Sequence, residues 1–226
     1  MEDGSNSDIN NSMTRKSNDT STGDNNTMNS VVGGRRGESS ITDIAAADDD
    51  QHQYGSSVTV TRDDNKIQFS KVNGEHFVAC KPSLNASSDE GSFWKVTIDE
   101  MPEDHIKQWV FLGIIGSLGA SYNSRVDPTS YGWSGKPQVW HEGSIRDGDS
   151  GWTRFTRGEC LHFHLKSNKL TMFSVQKNKK FVIDIDTTVP AYYSHFNILY
   201  VGTKVTLEPL GEDECERILD PLLNSS

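Results

Sequence analysis

The clearest alternation of apolar and polar positions lies between residues 160 and 173. Two sets of side chains alternate there, the apolar Leu161, Phe163 and Leu165 and the polar Cys160, His162 and His164. A period of two is typical of a half-buried strand, so the two sets should lie on opposite faces. The polar turn Ser167-Asn168 follows, and apolar residues resume at Leu170. The stretch therefore predicts a β-hairpin.

Short runs of the same kind recur on both sides of this hairpin. They occupy residues 58–61, 67–69, 76–80 and 93–99, and later residues 181–185, 196–201 and 204–210. Residues 109–115 are apolar at nearly every position, which is typical of a central strand covered on both sides. Asn73-Gly74 predicts a tight hairpin that leads into the run at 76–80. Many short strands without a convincing long helix predict an all-β fold, an antiparallel two-sheet β-sandwich.

The composition divides the chain into a polar tail and a domain. Residues 1–56 hold 10 acidic and 4 basic residues, and no aromatic residue precedes Tyr54. Such a segment cannot bury enough apolar surface to offset the entropy cost of ordering, so it predicts a disordered acidic tail. Residues 57–210 are long enough for one core, and the acidic residues 211–226 predict a short terminal helix.

Charge and cysteine usage narrow the class of protein. The domain has mixed charges and no basic stripe, which argues against nucleic acid as a partner. The first residues lack the basic start and apolar run of a secretory signal, and no apolar run is long enough to cross a bilayer. Cys80, Cys160 and Cys215 lie far apart, so neither a disulfide framework nor a zinc module is indicated. We expect an intracellular protein, cytoplasmic or nuclear, with no membrane partner.

Two pairs of side chains raise the question of metal binding or catalysis. His162 and His164 share a strand face, and they could bind zinc only with a third ligand such as Asp184 or His195. Asp184 and Asp186 also share a face, but the longer carboxylate run of sandwich-fold glycosidases is missing. No Gly-x-Ser-x-Gly motif and no phosphate-binding loop with a Lys-Ser/Thr ending occurs. We therefore expect no metal, no cofactor and no enzyme activity.

Six landmarks, in order along the chain, resemble those of SPRY domains. They are Trp94-Lys95-Val96, Gly113-Ile114-Ile115-Gly116, Tyr131-Gly132-Trp133, His141-Glu142-Gly143, Gly158-Glu159 and the hairpin of residues 165–173. The resemblance covers residues 57–210 and implies a bent two-sheet sandwich, a jelly roll related to concanavalin-type lectins. It also implies that loops at one rim bind a protein or peptide. Many such domains serve ubiquitin ligases or signalling adaptors, but this sequence shows no RING, B-box or coiled-coil pattern, so a ligase role does not follow.

Two polar loops punctuated by glycine are the candidate binding elements. Loops on a rigid sandwich often carry recognition, because the strands fix their ends while their side chains vary. The candidate residues are Tyr122, Arg125 and Asp127 in residues 121–130, and Arg146, Asp147, Asp149 and Trp152 in residues 144–152. Both loops flank residues 131–143, and we expect them on one rim if that segment is a pair of adjacent strands. Trp152 has two possible roles: it is a core residue or, because it follows a polar loop, a binding anchor.

The expected function is a non-catalytic adaptor or substrate-recognition module that binds a protein or peptide through these loops. A cytosolic carbohydrate-binding, lectin-like domain is the alternative, because aromatic and Asn/Asp loops suit sugars. A glycosidase of the same fold is a third possibility. A rim of varied loops favours the partner-binding module, a shallow aromatic-floored pocket favours the lectin, and paired carboxylates in a groove favour the hydrolase.

Overall fold

The computed structural model describes residues 52–54, 58–64, 66–71, 76–87, 91–120, 123–146, 151–210 and 214. These residues form fourteen strands and two short 3₁₀ turns, His105–Lys107 and Ser124–Val126. The strands are β1 (His52–Tyr54), β2 (Val58–Asp63), β3 (Lys66–Lys71), β4 (His76–Leu84), β5 (Ser92–Glu100), β6 (Val110–Ile115), β7 (Tyr131–Ser134), β8 (Val139–His141), β9 (Ser144–Arg146), β10 (Cys160–Lys166), β11 (Lys169–Ser174), β12 (Lys179–Asp184), β13 (Tyr192–Ile198) and β14 (Lys204–Pro209).

The strands form two seven-stranded sheets. Sheet A has the spatial order β1-β4-β13-β6-β7-β8-β9, and sheet B has the order β12-β11-β10-β5-β14-β3-β2. Every strand pair is antiparallel, including the predicted hairpin of β10 and β11, in which Phe163 lies opposite Met172. All six residues of β6 are buried, as the apolar run at 109–115 predicts. The prediction of an all-β, antiparallel two-sheet sandwich is confirmed.

Large aromatic side chains from both sheets fill the space between them. The ring of Phe163 on β10 stacks on Trp94 of β5, with 5.2 Å between centroids, and it meets Trp133 of sheet A at 6.2 Å. All three side chains are almost completely buried. Aromatic pairs of this kind contribute about 0.5–1.5 kcal/mol beyond the burial of their area. The alternation seen in the sequence thus assigns the inward face of β10 correctly.

One prediction about the first part of the domain is wrong. Asn73-Gly74 lies outside the described residues, but the strands on either side of it, β3 and β4, belong to different sheets and do not form a hairpin. The chain passes from sheet B to sheet A between these strands. A turn motif does not specify in which sheet the next strand lies. Residues 52–54, assigned to the disordered tail, form β1 and pair with β4, with His52 opposite Cys80. Sheet A thus includes one strand, β1, from within residues 1–56.

The outward face of β10 is more buried than a half-buried strand would be. His162 and His164 point away from the core, yet each is only 4% exposed. The ring of His164 stacks on Phe93 of β5, with centroids 4.0 Å apart. Burial lowers the pKa of His162, because removing water disfavours the charged imidazolium. The two faces are separated as the alternation predicts, but the polar face is not solvated.

A segment of residues 123–130 lies against the outward face of sheet A. Its Ser124 hydroxyl lies 2.7 Å from Nε2 of His195, a β13 residue on the face opposite Phe196. The side-chain amide of Asn197 donates to the same hydroxyl oxygen at 3.1 Å. Because the oxygen accepts from Asn197, its proton is available to the His195 nitrogen. These buried bonds fasten the 3₁₀ turn Ser124–Val126 onto the sheet.

Truncation tests the position of the domain boundary. A chain that begins at His52 should melt at the same temperature as the whole chain, because the composition of residues 1–51 offers nothing to a core. A chain that begins at residue 57 should melt lower by about 4 °C or more, because it loses β1 and leaves the edge of β4 unpaired. Calorimetry of the three chains measures this. Equal midpoints for the two truncated chains would contradict the assignment of β1.

The buried His195 should make stability depend on pH. Burial lowers the pKa of His195 to about 3, whereas the unfolded chain takes up the proton near 6.5. The unfolded state therefore binds the extra proton between these values, and stability should fall with decreasing pH by up to about 1.4 kcal/mol per pH unit. Urea unfolding at several pH values should show a shallower dependence for His195→Gln and an unchanged one for the exposed control His105→Gln. The same slope in wild type and His195→Gln would refute the assignment.

Candidate functional site

The turn that carries Arg125 and Asp127 is built from local hydrogen bonds. The Asp127 carboxylate accepts from the backbone N–H of Thr129 at 2.9 Å and from its hydroxyl at 2.6 Å. The Thr129 hydroxyl oxygen in turn accepts from the Gly116 N–H at 2.9 Å. Oδ1 of Asp127 therefore caps the turn and shapes the segment. Arg125 remains as the charged side chain that the turn presents.

The Arg125 guanidinium lies over two tryptophan rings. Its central carbon is 4.8 Å from the ring centroid of Trp109 and 5.7 Å from that of Trp140. Cation–π contacts of this kind contribute from about 0.5 to 2 kcal/mol, most when water is excluded. Trp109 and Trp140 belong to a buried cluster on the outward face of sheet A with Phe111, Leu199 and Tyr200. The stacking holds the half-buried guanidinium in one orientation.

Several polar atoms beside this stack have no hydrogen-bond partner among the described residues. They are Nη1 of Arg125, Oδ1 of Asn123, Oγ of Ser130 and Nε1 of Trp140. Leaving a buried polar atom unpaired costs about 1–3 kcal/mol. Because these atoms are buried, an ordered water is the partner that can complete their bonding. Around Arg125, both donor and acceptor atoms thus lack a hydrogen-bond partner among the described residues.

Exposed apolar surface adjoins the charged group. Val126, next to Arg125 in the 3₁₀ turn, is 47% exposed. We call Trp109, Asn123, Arg125, Val126 and Trp140 the Arg125 surface. It combines a fixed cation, aromatic rings and an exposed aliphatic side chain, and arginine and tryptophan are the types most enriched at binding hot spots.

The turn between β8 and β9 packs against the Arg125 surface. Glu142 and Gly143 have positive φ angles of 52° and 69°, as a two-residue hairpin turn requires. The Gly143 N–H donates to the Ser130 carbonyl at 3.1 Å. A Cβ atom at residue 143 would lie 2.4 Å from the Val126 carbonyl oxygen, so only glycine fits there. This close approach fixes the β8–β9 turn beside the 123–127 turn.

The second predicted loop, residues 144–152, begins as a strand. Residues 144–146 form β9, which runs back along β8 and places Arg146 opposite Val139. Arg146 thus lies at the far end of β8 from the Glu142-Gly143 turn, about 7 Å away along the strand. The tight turn reverses the chain, so β9 carries Arg146 away from residues 123–130. Tyr122, Asp147 and Asp149 lie outside the described residues.

Trp152 belongs to the core and not to the binding rim. It is 5% exposed, and its indole N–H donates to the carbonyl oxygens of Ser134 at 2.9 Å and Lys136 at 3.1 Å. Its ring packs on Phe155 and Phe181, with centroids 4.5 and 5.1 Å away. Of the two roles the sequence allowed, the structure assigns the core. The candidate site therefore loses Trp152 and gains Trp109 and Trp140.

The buried carboxylate of Glu159 is fully used in hydrogen bonds that stabilise the fold. Glu159 is fully buried, and its oxygens accept from the Ser174 hydroxyl at 2.7 Å, from the Thr156 N–H at 2.7 Å and from the Lys177 ammonium group. Each oxygen is thus bonded, and the cation supplies the opposite charge. A carboxylate so fully engaged fastens the segment before β10 and is not available as a catalytic base.

Asp184 and Asp186, the two carboxylates considered as a glycosidase pair, both bond to neighbouring side chains. Oδ1 of Asp184 pairs with the Lys169 ammonium at 2.8 Å on the surface. The Asp186 carboxylate accepts from the N–H and the hydroxyl of Thr188, each at 2.8 Å, and the bond from the N–H is the main reason for its lowered pKa. Among the described residues, no three His, Cys, Asp or Glu side chains lie close enough to hold a metal ion. In the same residues, no helix is long and apolar enough to cross a membrane.

The comparisons with known proteins agree with this architecture. No protein-family model and no curated protein matches the sequence. Among solved structures, the SPRY domain of human HERC1 superposes with a TM-score of 0.52 at 12% identity, covering 72% of this chain and 97% of that one. The TRIM65 PSpry domain has a TM-score of 0.47 at 18% identity, covering 72% and 93%. The superposition on the HERC1 domain shows that the chain has a SPRY-like fold.

Proposed function

We propose that this domain is a non-catalytic module that binds a protein or peptide segment on the Arg125 surface. The observation that carries the proposal is the half-buried Arg125 guanidinium, stacked on Trp109 and Trp140 and followed in the chain by the exposed Val126. Structural neighbours that are SPRY domains support a protein-interaction role in general terms. An adaptor or substrate-recognition role is compatible with such a surface.

The charge of the surface indicates the chemistry of the partner. Within the described part of the chain no carboxylate pairs with Arg125, since Asp127 is bonded to Thr129 and Glu142 lies 3.8 Å from His141. A carboxylate from a partner would form a charge-assisted hydrogen bond with the guanidinium, stronger than a neutral one. Val126 offers an apolar contact next to it. The fitting partner is a segment with an aspartate or glutamate beside an apolar side chain.

The carbohydrate-binding alternative receives less support from the geometry. A sugar ring stacks on an open aromatic face, whereas Arg125 covers both tryptophans of this surface and each is nearly buried. The aromatic rings here orient a cation instead of forming the floor of a pocket.

Peptide selection tests the proposal. Peptides selected from a random displayed library on the whole chain should carry an acidic residue next to an apolar one. Their affinity should fall at least about tenfold for Arg125→Gln and for Val126→Asp, because each change removes or opposes a contact of hot-spot type. Fluorescence anisotropy with a labelled peptide measures the affinities, and circular dichroism confirms that the variants are folded.

Two further arginines serve as controls. Arg154→Gln changes an exposed arginine outside the surface and should leave the affinity unchanged. Arg146→Gln should also have little effect, because Arg146 lies at the far end of β8. Loss of binding in Arg146→Gln together with full binding in Arg125→Gln would move the site to the exposed edge strand β9 and refute the proposal.

A further inference from the structure

A cleft of about 400 Å³ lies on the outward face of sheet B, where β10 turns into β11. It is lined by six residues of this hairpin, His164, Lys166, Ser167, Asn168, Lys169 and Thr171. The two-residue turn Ser167-Asn168 places Lys166 directly opposite Lys169. Ser167, its first residue, has a positive φ of 56°, as tight two-residue turns require. We call this the hairpin cleft, and the turn holds two ammonium groups at its edge.

The two lysines form a like-charge pair that is neutralised on one side only. Like charges directly opposite each other on neighbouring strands are destabilising. Nζ of Lys169 lies 2.8 Å from Oδ1 of Asp184, its neighbour across the register on β12. Lys166 is exposed, and no carboxylate of the described residues forms an ion pair with it. The hairpin cleft therefore carries one positive charge that no described side chain offsets.

Neutral donors in the hairpin cleft are unused as well. Thr171 is only 7% exposed, yet its hydroxyl has no hydrogen-bond partner in the described part of the chain. The same holds for the Ser167 hydroxyl and for the side-chain amide of Asn168. The Asn168 carbonyl accepts from the Ile185 N–H at 2.9 Å, so the turn itself is fixed while its side chains remain available. A nearly buried hydroxyl normally finds a partner, and a group bound in the cleft would supply one for Thr171.

The buried part of the lining is rigid. His164 is 4% exposed, and its ring stacks on Phe93 with 4.0 Å between centroids. A Cβ atom at Gly91 would lie 2.6 Å from Nε2 of His164, so only glycine lets the chain pass beside the ring. Phe93 and the close approach at Gly91 thus hold the imidazole in place. A lining that is already ordered loses little conformational freedom when a ligand binds.

The kinds of donor favour phosphate over carboxylate. The planar fork of arginine matches a carboxylate, and no described arginine lines the hairpin cleft. Phosphate has three strong acceptor oxygens that point in different directions, and the point charge of lysine is a common phosphate ligand. Lys166, Ser167 and Thr171 are donors of this kind. A volume of about 400 Å³ lies within the range of small-molecule sites, so it leaves room for the group to which the phosphate is esterified.

We propose that the hairpin cleft binds a phosphate monoester, with the Lys166 ammonium and the hydroxyls of Ser167 and Thr171 as its ligands. Lys169 adds positive charge that it shares with Asp184. This inference goes beyond the proposed function, because the cleft lies on sheet B and the Arg125 surface on sheet A. The two sites are tested separately, since they share no residue.

Titration followed by nuclear magnetic resonance tests the hairpin cleft. The isotope-labelled whole chain would be titrated at constant ionic strength with inorganic phosphate, N-acetyl-phosphoserine amide and glycerol 3-phosphate. The backbone N–H signals of Ser167 and Asn168 should shift saturably, while those of residues 123–127 stay unmoved. At least one monoester should bind more tightly than inorganic phosphate, because the cleft has room beyond the phosphate. The tighter monoester identifies the source as a phosphorylated side chain or a phosphorylated small molecule.

Four variants assign the ligands. Lys166→Gln should weaken binding of the tighter monoester about tenfold, because it removes a charge-assisted hydrogen bond. Thr171→Val, which removes the hydroxyl, should weaken it about threefold. Asp184→Asn should strengthen it about twofold, because the charge of Lys169 is then no longer shared. Lys136→Gln makes the same charge change at an exposed lysine between two strands of sheet A and should leave the affinity unchanged.

Three outcomes would overturn the proposal. The absence of a saturable shift at millimolar concentrations of both monoesters would show that the hairpin cleft binds no phosphate ester. Equal weakening by Lys136→Gln and Lys166→Gln would show that only the overall charge of the chain matters. Equal affinity for acetate would show that the cleft does not select phosphate. Circular dichroism confirms that each variant is folded, and the exposed position of Lys166 makes its substitution compatible with folding.

Discussion

Two hydrogen bonds at the Ser124 hydroxyl, one shared with His195 and one donated by the Asn197 amide, hold the turn on which the proposed binding surface depends. They lie on the outward face of sheet A, where burial keeps the imidazole neutral. A neutral imidazole can accept the Ser124 proton, so burial of the histidine and anchoring of the turn are coupled. With the turn anchored, the next side chain along the chain, Arg125, is placed over Trp109 and Trp140. A small buried polar network thus positions a half-buried cation on the outward face of sheet A.

The aromatic platform beneath Arg125 requires a glycine in the neighbouring strand. A Cβ atom at Gly132 would lie 2.8 Å from the Cζ atom of Phe111, so the ring of Phe111 occupies the space that a side chain would fill. Trp140 then meets that ring edge-on, with centroids 6.4 Å apart. Gly132 also lies opposite Trp140 in the register of β7 and β8. The Tyr131-Gly132-Trp133 landmark therefore serves both faces, with Trp133 in the core and the gap at Gly132 supporting the outer cluster.

The features of the fold that could be predicted from the sequence are those that depend on local periodicity. Alternation assigns Phe163 to the core and His162 to the opposite face, and the apolar run identifies β6, because side-chain direction along a strand is a local property. Burial of the outward face is different, since His164 stacks on Phe93 and His162 lies near Glu214, and both partners are distant along the chain. Asn73-Gly74 misleads for a related reason, because a turn motif does not specify whether the next strand stays in the same sheet.

The candidate site could be predicted only in part for the same physical reasons. Arg125 stands out as an arginine in a polar loop, but its partners Trp109 and Trp140 are distant in sequence and resemble core residues. Arg146 looks equivalent to Arg125 until the Glu142-Gly143 turn is known to reverse the chain after one short strand. Trp152 follows a polar loop, yet the carbonyl groups of Ser134 and Lys136 bond its indole inside the sandwich. Whether each of these residues belongs to the candidate site depends on strand register and on contacts between residues distant in sequence.

The central claim, that the Arg125 surface is where a partner binds, is tested most directly by nuclear magnetic resonance. The isotope-labelled whole chain would be titrated with a bound peptide, and both backbone and indole N–H signals would be followed. The account predicts that the largest shifts occur at residues 123–127, at the Glu142-Gly143 turn and at the indole groups of Trp109 and Trp140. Shifts confined to β9, or to the outward face of sheet B, with the Trp109 and Trp140 signals unmoved, would contradict it.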